Sequence, residues 1–346
     1  MSTSEFVLPP RTGLLLALLS ILAVRTSPAQ APSVTVTGYP FSGFYFTGIT
    51  AGPTDGAVWF SGYDSNQRKI GRITADGVIT EYVSFNAPSA ITAGPDGALW
   101  FTEDAAHQIG RIDAGGVITE YGIPCCGEPS RIAAGPDGAL WFTEGNKIER
   151  ITTGGVVTEY LLPDPNAAAI GITAGSDGAL WFTEPSSVID YIDLICSGND
   201  KVGRITTSGM ITEYALSRSV ACRGLKSIAA GPDGALWFNE SYLNAVGRIT
   251  TAGVVTEYPL PSALEVSSDI AAGPDGALWF PAFNLENGGG ILERITTDGV
   301  ITEYSVAANT ADSVIVTGPD GALWLTAYGG SIVRASLSNS EPTWTR

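Results

Sequence analysis

The chain has 346 residues, and its 35 acidic side chains outnumber its 18 basic ones, which gives a formal net charge of −17 at neutral pH. A field of this sign repels nucleic acid and anionic lipid, so polyanionic partners are excluded. The length is large for one compact core, and the 42 glycines favour an architecture that repeats a unit with many turns.

The N-terminal segment has the pattern of a secretory signal peptide. Arg11 precedes an apolar run, Leu14–Val24, that is too short to span a bilayer and is followed by small residues. We expect cleavage after Ala29, so that residues 1–29 are the signal peptide and the mature chain, with no transmembrane segment, is secreted or periplasmic. An uncleaved N-terminal anchor is the alternative.

A phrase close to G-P-D-G-A-L-W-F recurs seven times after this segment. The period is about 40 residues, which is typical of solenoids and propellers. A second phrase, seen as G-R-I-T-A-D-G-V-I-T-E-Y in residues 71–82, recurs in the units that follow. The tryptophans of the first phrase are Trp59, Trp100, Trp141, Trp181, Trp237, Trp279 and Trp324.

Each unit carries four short strand signals bounded by Gly, Pro and Asp. In the second unit they are Ile91–Ala93, Ala98–Glu103, Ile109–Asp113 and Val117–Tyr121. No helical period appears in the mature chain. Four antiparallel strands repeated seven times predict an all-β fold, a seven-bladed β-propeller, in which radial closure leaves few free strand edges.

The two ends of the chain are out of phase with the repeat. The last unit stops after its third strand, Ile332–Ser336, while Val34–Tyr39 reads V-T-V-T-G-Y, a shortened form of V-I-T-E-Y. We predict that this N-terminal strand completes the last blade. The propeller then spans residues 30–337, and residues 338–346 form a C-terminal tail.

Export permits disulfides, and the chain has four cysteines. Cys196 lies in the one long insertion, between the second and third strands of the fourth unit, and Cys222 lies in the connection to the fifth unit. Both connections open on the same face of a propeller, so we predict a bond between these two cysteines. For the adjacent Cys125 and Cys126, a vicinal disulfide and a reduced pair both remain open.

The repeated residues are interpreted as scaffold. The Trp and Phe of A-L-W-F alternate across the second strand and are expected to pack between neighbouring blades. The aspartates of G-P-D-G should form the first hairpin turn by accepting hydrogen bonds from turn amides, with a calcium-binding role as the alternative. They are Asp55, Asp96, Asp137, Asp177, Asp233, Asp275 and Asp320.

The opposite face carries the variable positions, where sites are expected on a rigid scaffold. The residue two before the Ile of each first strand is predicted to surround the mouth of the central channel. These residues are mostly hydroxylic, with one cation: Thr47, Ser89, Ser130, Ile170, Lys226, Ser268 and Ser313. We expect the polar members of this set to contact a ligand.

Four consecutive units place a carboxylate three residues after the motif Trp, and these are Glu103, Glu144, Glu184 and Glu240. Carboxylate oxygens suit a hard divalent cation, so a crescent of this kind is a candidate metal site. The alternative is a solvated acidic rim with salt-bridged neighbours.

The phrases G-P-D-G-A-L-W-F-T-E, I-G-R-I-T and G-V-I-T-E-Y resemble those of the virginiamycin B lyase (streptogramin lyase) family from residue 34 to about 337. The resemblance implies a seven-bladed propeller that opens the ring of streptogramin B depsipeptides, an antibiotic resistance activity, by magnesium-dependent elimination across the ester's carbon–oxygen bond. Such an elimination requires a base for a carbon-bound proton and an electrophile for the departing carboxylate.

The chain departs from that family where the chemistry is expected. The resemblance places catalytic histidines at Ser268 and Ser313, a glutamate at Ala311 and a further glutamate near Tyr328. The single histidine of the chain is His107, in a connection of the second unit. The base, its partner and a metal ligand are therefore missing from the matching positions.

Two hypotheses follow. The first is an exported, monomeric, non-catalytic propeller whose variable face, including Tyr328, binds a small molecule, a peptide or an envelope protein. The second is a metal-dependent carbon–oxygen lyase in which the four glutamates hold magnesium. In that lyase Lys226 or His107 acts on the substrate, and we favour Lys226 as an electrophile because neighbouring carboxylates keep a lysine protonated.

Overall fold

The computed structural model describes residues 31–41, 43–124, 127–190, 195–197, 200–216, 223–261, 264–266, 269–284, 288–306 and 308–338. Of residues 187–190, 195–197 and 264–266 only the backbone is described. The chain from Pro32 onward forms one compact unit. Within the described ranges, no helix has the length and apolar character that a bilayer crossing requires.

The N-terminal strand, β1 (Ser33–Pro40), precedes the first complete blade. Blades 1 to 3 are antiparallel sheets of four consecutive strands each. Blade 1 contains β2 (Tyr45–Ala51), β3 (Val58–Tyr63), β4 (Arg68–Ile73) and β5 (Ile79–Ser84). Blade 2 contains β6 (Ile91–Ala93), β7 (Leu99–Glu103), β8 (Gln108–Ile112) and β9 (Ile118–Gly122). Blade 3 contains β10 (Pro129–Ala134), β11 (Leu140–Glu144), β12 (Lys147–Ile151) and β13 (Val157–Leu161).

Blades 4 and 5 keep this plan, but a hairpin interrupts blade 4. Blade 4 contains β14 (Ile172–Ala174), β15 (Ala179–Glu184), β18 (Lys201–Thr206) and β19 (Ile211–Ala215). The hairpin strands are β16 (Ser187–Asp190) and β17 (Ile195–Ser197), which pair with each other. Blade 5 contains β20 (Leu225–Ala230), β21 (Leu236–Glu240), β22 (Ala245–Ile249) and β23 (Val255–Pro259).

Blade 6 has one extra short strand, because both β24 and β25 pair with β26. Its strands are β24 (Leu264–Val266), β25 (Ala271–Ala272), β26 (Leu278–Asn284), β27 (Gly290–Ile295) and β28 (Ile301–Val306). Blade 7 begins with β29 (Ile315–Thr317), β30 (Leu323–Ala327) and β31 (Ser331–Ser338). Short 3₁₀ turns occupy Asp104–Ala106 and Ser241–Leu243. The prediction of a seven-bladed all-β propeller is confirmed.

The predicted closure of the ring is also confirmed. Strand β1 pairs antiparallel with β31 over its whole length, with Val34 opposite Leu337 and Tyr39 opposite Ile332. The Tyr39 ring also stacks on Trp324, with 5.7 Å between ring centroids. The last blade therefore takes its fourth strand, and the tyrosine of that strand, from the other end of the chain.

One module of four side chains recurs in the blades and explains why the repeat phrases are so constant. In blade 2, the Trp100 indole is buried and stacks on Tyr121 at 5.4 Å, while its Nε1 donates to Asp96 at 3.0 Å. Arg111 donates from Nε to the second oxygen of Asp96 at 2.7 Å. The turn aspartate thus caps the turn, orients the indole and neutralises the arginine, so the sequence interpretation as a turn former accounts for only part of its contacts.

Neighbouring blades are joined by hydrogen bonds near the channel. The hydroxyl at the fourth position of A-L-W-F-T reaches the next blade: Thr102 Oγ1 donates to the Ser130 carbonyl at 3.0 Å, and Thr183 Oγ1 donates to the Lys226 carbonyl at 2.7 Å. These bonds fix the start of each first strand against the blade before it, and they position the variable face.

Candidate ligand-binding face

The ends of the second strands and the starts of the first strands lie on one side of the ring. We call this side the upper face, and it carries Glu103 at the end of β7, Arg131 near the start of β10 and Tyr328 just after β30. Both kinds of connection that vary in length open here, which is why the candidate residues of the sequence analysis lie on this face.

The residues predicted to surround the channel mouth are held by their backbones. The carbonyls of Ser130, Ile170 and Lys226 accept hydrogen bonds from the preceding blade. Thr47 Oγ1 donates to the Pro88 carbonyl at 2.7 Å, and Ser313 is buried. Ser89 is partly buried, while Ser268 lies outside the described residues. Their contacts with a ligand stay a prediction.

The central channel is lined instead by the residue that directly follows each of the positions predicted to surround its mouth. The residues directly before the first-strand Ile of each blade border a cavity of about 290 Å³. The difference arises because the carbonyls of several of the predicted residues are turned toward the neighbouring blade and hydrogen-bonded there. The lining residues at this level are Gly48, Ala90, Arg131, Gly171, Ser227, Asp269 and Val314.

Two of these lining residues form a hydrogen-bonded pair. Ser227 Oγ donates to one oxygen of Asp269 at 2.7 Å, and the Ile315 amide donates to the other oxygen at 3.0 Å. Asp269 is therefore anchored to both neighbouring blades. Among the lining residues, Arg131 is the cation and Asp269 is the carboxylate. Reasoning from the sequence missed both, although their repeat column otherwise holds only Gly, Ala, Ser and Val.

The four glutamates predicted as a metal-binding crescent are buried, and each contacts a side chain of its own blade or of the chain that leads into that blade. Glu144 contacts Lys147 at 3.0 Å, and Glu184 contacts Lys201 at 2.8 Å. Glu240 contacts Arg223 at 2.7 Å, and Glu103 accepts a hydrogen bond from Ser84 at 3.2 Å. Over the described ranges, no group of three or more His, Cys, Asp or Glu side chains is arranged to hold a metal ion. A metal role for these glutamates stays a prediction.

Burial raises the pKa of three of these carboxyl groups against the effect of their partners. For Glu240 burial and the nearby Glu257 outweigh Arg223 and raise the pKa to about 7. Burial, reinforced by Glu213, raises the pKa of Glu184 despite Lys201. Burial and Glu120 raise the pKa of Glu103. Burial therefore disfavours the ionised form of these groups, which is the form that binds a divalent cation.

His107 stabilises the backbone of a connection on this face. It ends the 3₁₀ turn of blade 2 in the left-handed conformation, with a φ of 54°. Its Nδ1 donates to the carbonyl of Gly127, and its own carbonyl accepts the amide of Ile123 at 3.2 Å. The imidazole therefore ties the connection between blades 2 and 3 to blade 2, and a catalytic role for it stays a prediction.

Three exposed tyrosines surround a pocket where blade 7 meets blade 1. Tyr45 and Tyr63 stack on each other at 5.5 Å, and Tyr328 faces the same cavity of about 220 Å³. These side chains are 59%, 42% and 66% exposed, respectively. Thr47 and Asp312 also line the cavity. We call it the tyrosine pocket, and it brings together two residues of the predicted ligand-binding set, Thr47 and Tyr328.

The predicted disulfide falls mostly outside the described residues. Cys222, Cys125 and Cys126 are not described, and of Cys196 only the backbone is described, in β17. The bond between Cys196 and Cys222 stays a prediction.

The sequence pattern of the virginiamycin B lyase family matches residues 30–195 and 192–340. A structure of a catalytically inactive His-to-Ala variant of virginiamycin B lyase from Staphylococcus aureus with quinupristin is 35% identical, covers 88% of this chain and 100% of its own, and has a TM-score of 0.76. A streptogramin B lyase structure is 33% identical over 90% of this chain and 100% of its own, with a TM-score of 0.74.

The WD40 propeller domain of Doa1, at 11% identity, 90% coverage of this chain, 98% of its own and a TM-score of 0.66, shares the fold alone. No curated protein sequence matches the chain. Seven closed blades with variable loops on one face define a seven-bladed β-propeller. Because the family pattern matches nearly all the residues from 30 to 340, the chain belongs to the virginiamycin B lyase family.

The magnesium that the family resemblance implies can be tested against the residues present at the matching places. Mg²⁺ requires near-octahedral oxygen ligands, usually including one or two carboxylates. At positions 311 and 328 this chain carries alanine and tyrosine, and Asp312 is the only carboxylate lining the tyrosine pocket. These described residues do not fit a magnesium site.

Proposed function

We propose that this protein is an exported, non-catalytic member of the virginiamycin B lyase family that binds a ligand on its upper face. The observation that carries the proposal is the tyrosine pocket. It occupies the place where the family resemblance puts a glutamate, and Tyr328 there is an exposed aromatic side chain. Exposed aromatic side chains around a cavity favour binding, because they offer a large apolar area with polar tips.

The distribution of candidate bases supports the same proposal. Elimination requires a group that takes a carbon-bound proton, and the resemblance puts histidine at Ser268 and Ser313. A serine hydroxyl is a far weaker base than imidazole. Ser313 is also buried beneath the face. The one histidine of the chain, His107, lies in blade 2 and is hydrogen-bonded to the backbone carbonyl of Gly127.

The proposed ligand is a small molecule, a peptide or a segment of an envelope protein. Export is proposed from Arg11 and the apolar run Leu14–Val24. A monomer is proposed because a closed ring leaves only short strand edges and requires no partner to cover them.

A turnover experiment tests whether the protein is non-catalytic. The purified mature protein is incubated with quinupristin, with and without Mg²⁺, beside a virginiamycin B lyase as positive control. Elimination yields a linear isomer of unchanged mass, so the product is followed by chromatography and fragmentation mass spectrometry. We expect no ring opening by this protein. Magnesium-dependent ring opening would overturn the proposal.

The alternative function is a metal-dependent carbon–oxygen lyase acting on a streptogramin B-type ester. The 35% identity to a virginiamycin B lyase over most of the chain favours it. In that case Lys226 would stabilise the departing carboxylate, and Lys226→Ala would abolish the activity. An unchanged rate in that variant would exclude this role for Lys226.

A further inference from the structure

Two basic side chains near the upper end of the channel lack the acidic partners that the other partly buried cations have. Arg131 lines the channel on β10 of blade 3. Lys226 lies on β20 of blade 5, directly before the channel-lining Ser227. Both residues are partly buried. Within the described ranges, neither side chain has an ion pair or a hydrogen bond.

The other partly buried cations show how unusual this is. The third-strand arginines contact their turn aspartates at 2.5 to 2.7 Å, as Arg72 and Arg111 do. Arg223 contacts Glu240 at 2.7 Å, and Lys201 contacts Glu184 at 2.8 Å. In a chain with a net charge of −17, carboxylates are abundant. Two partly buried cations left without a carboxylate therefore mark a place where the protein leaves positive charge available.

Blade 4 lies between these two cations and contributes no side chain at the level of Arg131. Its lining residue is Gly171, and a Cβ there would lie 2.5 Å from the Lys226 carbonyl oxygen. Glycine is therefore required by the close approach of β20, and no side chain fills the wall between Arg131 and Ser227. The space beside Arg131 is part of the channel cavity of about 290 Å³.

The carboxylate that lines the channel does not serve as a partner for Arg131. Asp269 accepts from Ser227 Oγ and from the Ile315 amide, on the blades to either side of its own. No ion pair joins it to Arg131 in the part of the chain that the structure describes. The channel lining is thus positive at blade 3 and negative at blade 6.

We propose that Arg131, supported by Lys226, binds a carboxylate group of the ligand at the upper end of the channel. The planar guanidinium matches the two oxygens of a carboxylate, and the partly desolvated setting strengthens this charge-assisted hydrogen bond. A phosphate dianion fits less well, because Asp269 repels the additional negative charge within the same cavity. The inference rests on the proposed binding function of the upper face and adds the chemical class of the ligand.

Ligand-observed NMR titration with succinate tests the site directly. We expect saturable binding of succinate that weakens with added salt, and no binding of the neutral analogue succinamide. Arg131→Gln should weaken succinate binding about tenfold or more, the effect of losing a hydrogen bond to a charged group. Lys226→Gln should weaken it several-fold. Arg131→Lys, which keeps the charge, should retain more affinity than Arg131→Gln.

Arg68→Gln is the matched control, since Arg68 is an exposed arginine away from the channel. If Arg68→Gln weakened binding as much as Arg131→Gln, or if Arg131→Gln bound succinate as the wild type does, the site would be wrong. Tighter binding of inorganic phosphate than of succinate would overturn the carboxylate assignment. Quinupristin turnover is measured on the same preparations. Lyase activity would refute the proposed non-catalytic function, whereas succinate binding tests the carboxylate site independently of that function.

Discussion

Blades 3 and 6 solve the same electrostatic problem in two ways. Blades 1, 2, 4 and 5 have glycine on the third strand opposite the motif Phe, but here the position holds Glu149 in blade 3 and Glu293 in blade 6. Both carboxyl groups are fully buried. Each lies opposite a second glutamate on the fourth strand, Glu159 and Glu303, respectively.

The two blades differ at the position two residues before Glu149 and Glu293 on the third strand. Blade 3 has Lys147 there, with its Nζ at 3.0 Å from Glu149, 3.0 Å from Glu144 and 2.6 Å from Glu159. Burial alone would lower the pKa of Lys147, but its hydrogen bonds to these glutamates raise it well above the usual range. Blade 3 therefore holds a permanent cation at the centre of its acidic cluster. Burial, reinforced by Glu144, nevertheless raises the pKa of Glu149 to about 8 despite Lys147.

Blade 6 has the apolar Ile291 at the same place. Burial and the nearby Glu303 raise the pKa of Glu293 to about 8, so this carboxyl group keeps its proton at neutral pH. Both buried carboxyl groups thus favour the protonated form, but blade 3 adds a cation beside its carboxyl groups and blade 6 does not, so the two blades should respond differently to mutation and to pH.

Removing the cation of blade 3 should have the largest effect on stability. Lys147→Met leaves Glu144 and Glu149 buried without their counterion, and we expect the free energy of unfolding at pH 7 to fall by about 3 to 5 kcal/mol. The loss should be larger at pH 9 than at pH 7, because burial raises the pKa of Glu149 to about 8 and its ionisation above that pH leaves a buried charge without a cation. Chemical denaturation at both pH values measures it.

Lys69→Met in blade 1 is the control, because its partners Asp64 and Glu81 are more accessible to solvent. Ion pairs with this exposure contribute about 1 kcal/mol or less. Equal losses from the two variants would show that burial of the partners does not decide the cost, and the contrast between the blades would fail.

The proton of blade 6 should appear as a pH dependence of stability. Because the folded pKa of Glu293, about 8, lies above its ordinary value of 4.5, its stabilising contribution is complete below pH 4.5 and is lost as the pH rises toward 8. Glu293→Gln removes this loss. We expect the stability of the variant relative to the wild type to rise by up to about 1.4 kcal/mol per pH unit in this window.

Thermal or chemical unfolding between pH 5 and pH 9 measures that difference. Glu81→Gln, at an exposed carboxylate, is the control and should leave the pH dependence of the wild type in place. A difference between Glu293→Gln and the wild type that stays constant with pH would show that Glu293 is ionised throughout.

The scaffold could be predicted from the sequence because its physical causes are local. Asp96 and Trp100 recur within the first phrase, and Arg111 and Tyr121 recur within the second. Each copy forms the same stack and ion pair. The closing strand could also be predicted, since Tyr39 repeats the tyrosine of the fourth strands. Strand limits in blade 2 differed from the prediction by a single residue or less at most ends.

The site could be predicted only in part. The sequence indicated the upper face and the positions of Thr47 and Tyr328, which share one pocket. It did not indicate Arg131 as a channel residue. The carbonyl of Ser130 is hydrogen-bonded to Thr102, and the next residue, Arg131, lines the channel. Nor did it show that the Glu144 carboxylate pairs with Lys147, which depends on the register between two strands.

Replacing Glu159, the outer carboxylate of blade 3, should have the smallest effect on stability and tests how far burial decides the contribution of an ion pair. Glu159 contacts the same Lys147 at 2.6 Å, yet its side chain is 40% exposed. The hydrogen bond from Lys147 holds the pKa of Glu159 below its usual value, so its contribution is present above the ordinary pKa near 4.5 and disappears as the pH falls below it. We expect Glu159→Gln to lower the free energy of unfolding at pH 7 by about 1 kcal/mol or less, with the difference reduced by high salt. Denaturation at pH 7 and pH 3 checks both points. A loss as large as that of Lys147→Met would mean that Glu159 holds the lysine in place for the two buried glutamates, and that solvent exposure of one partner is not what makes its contribution small.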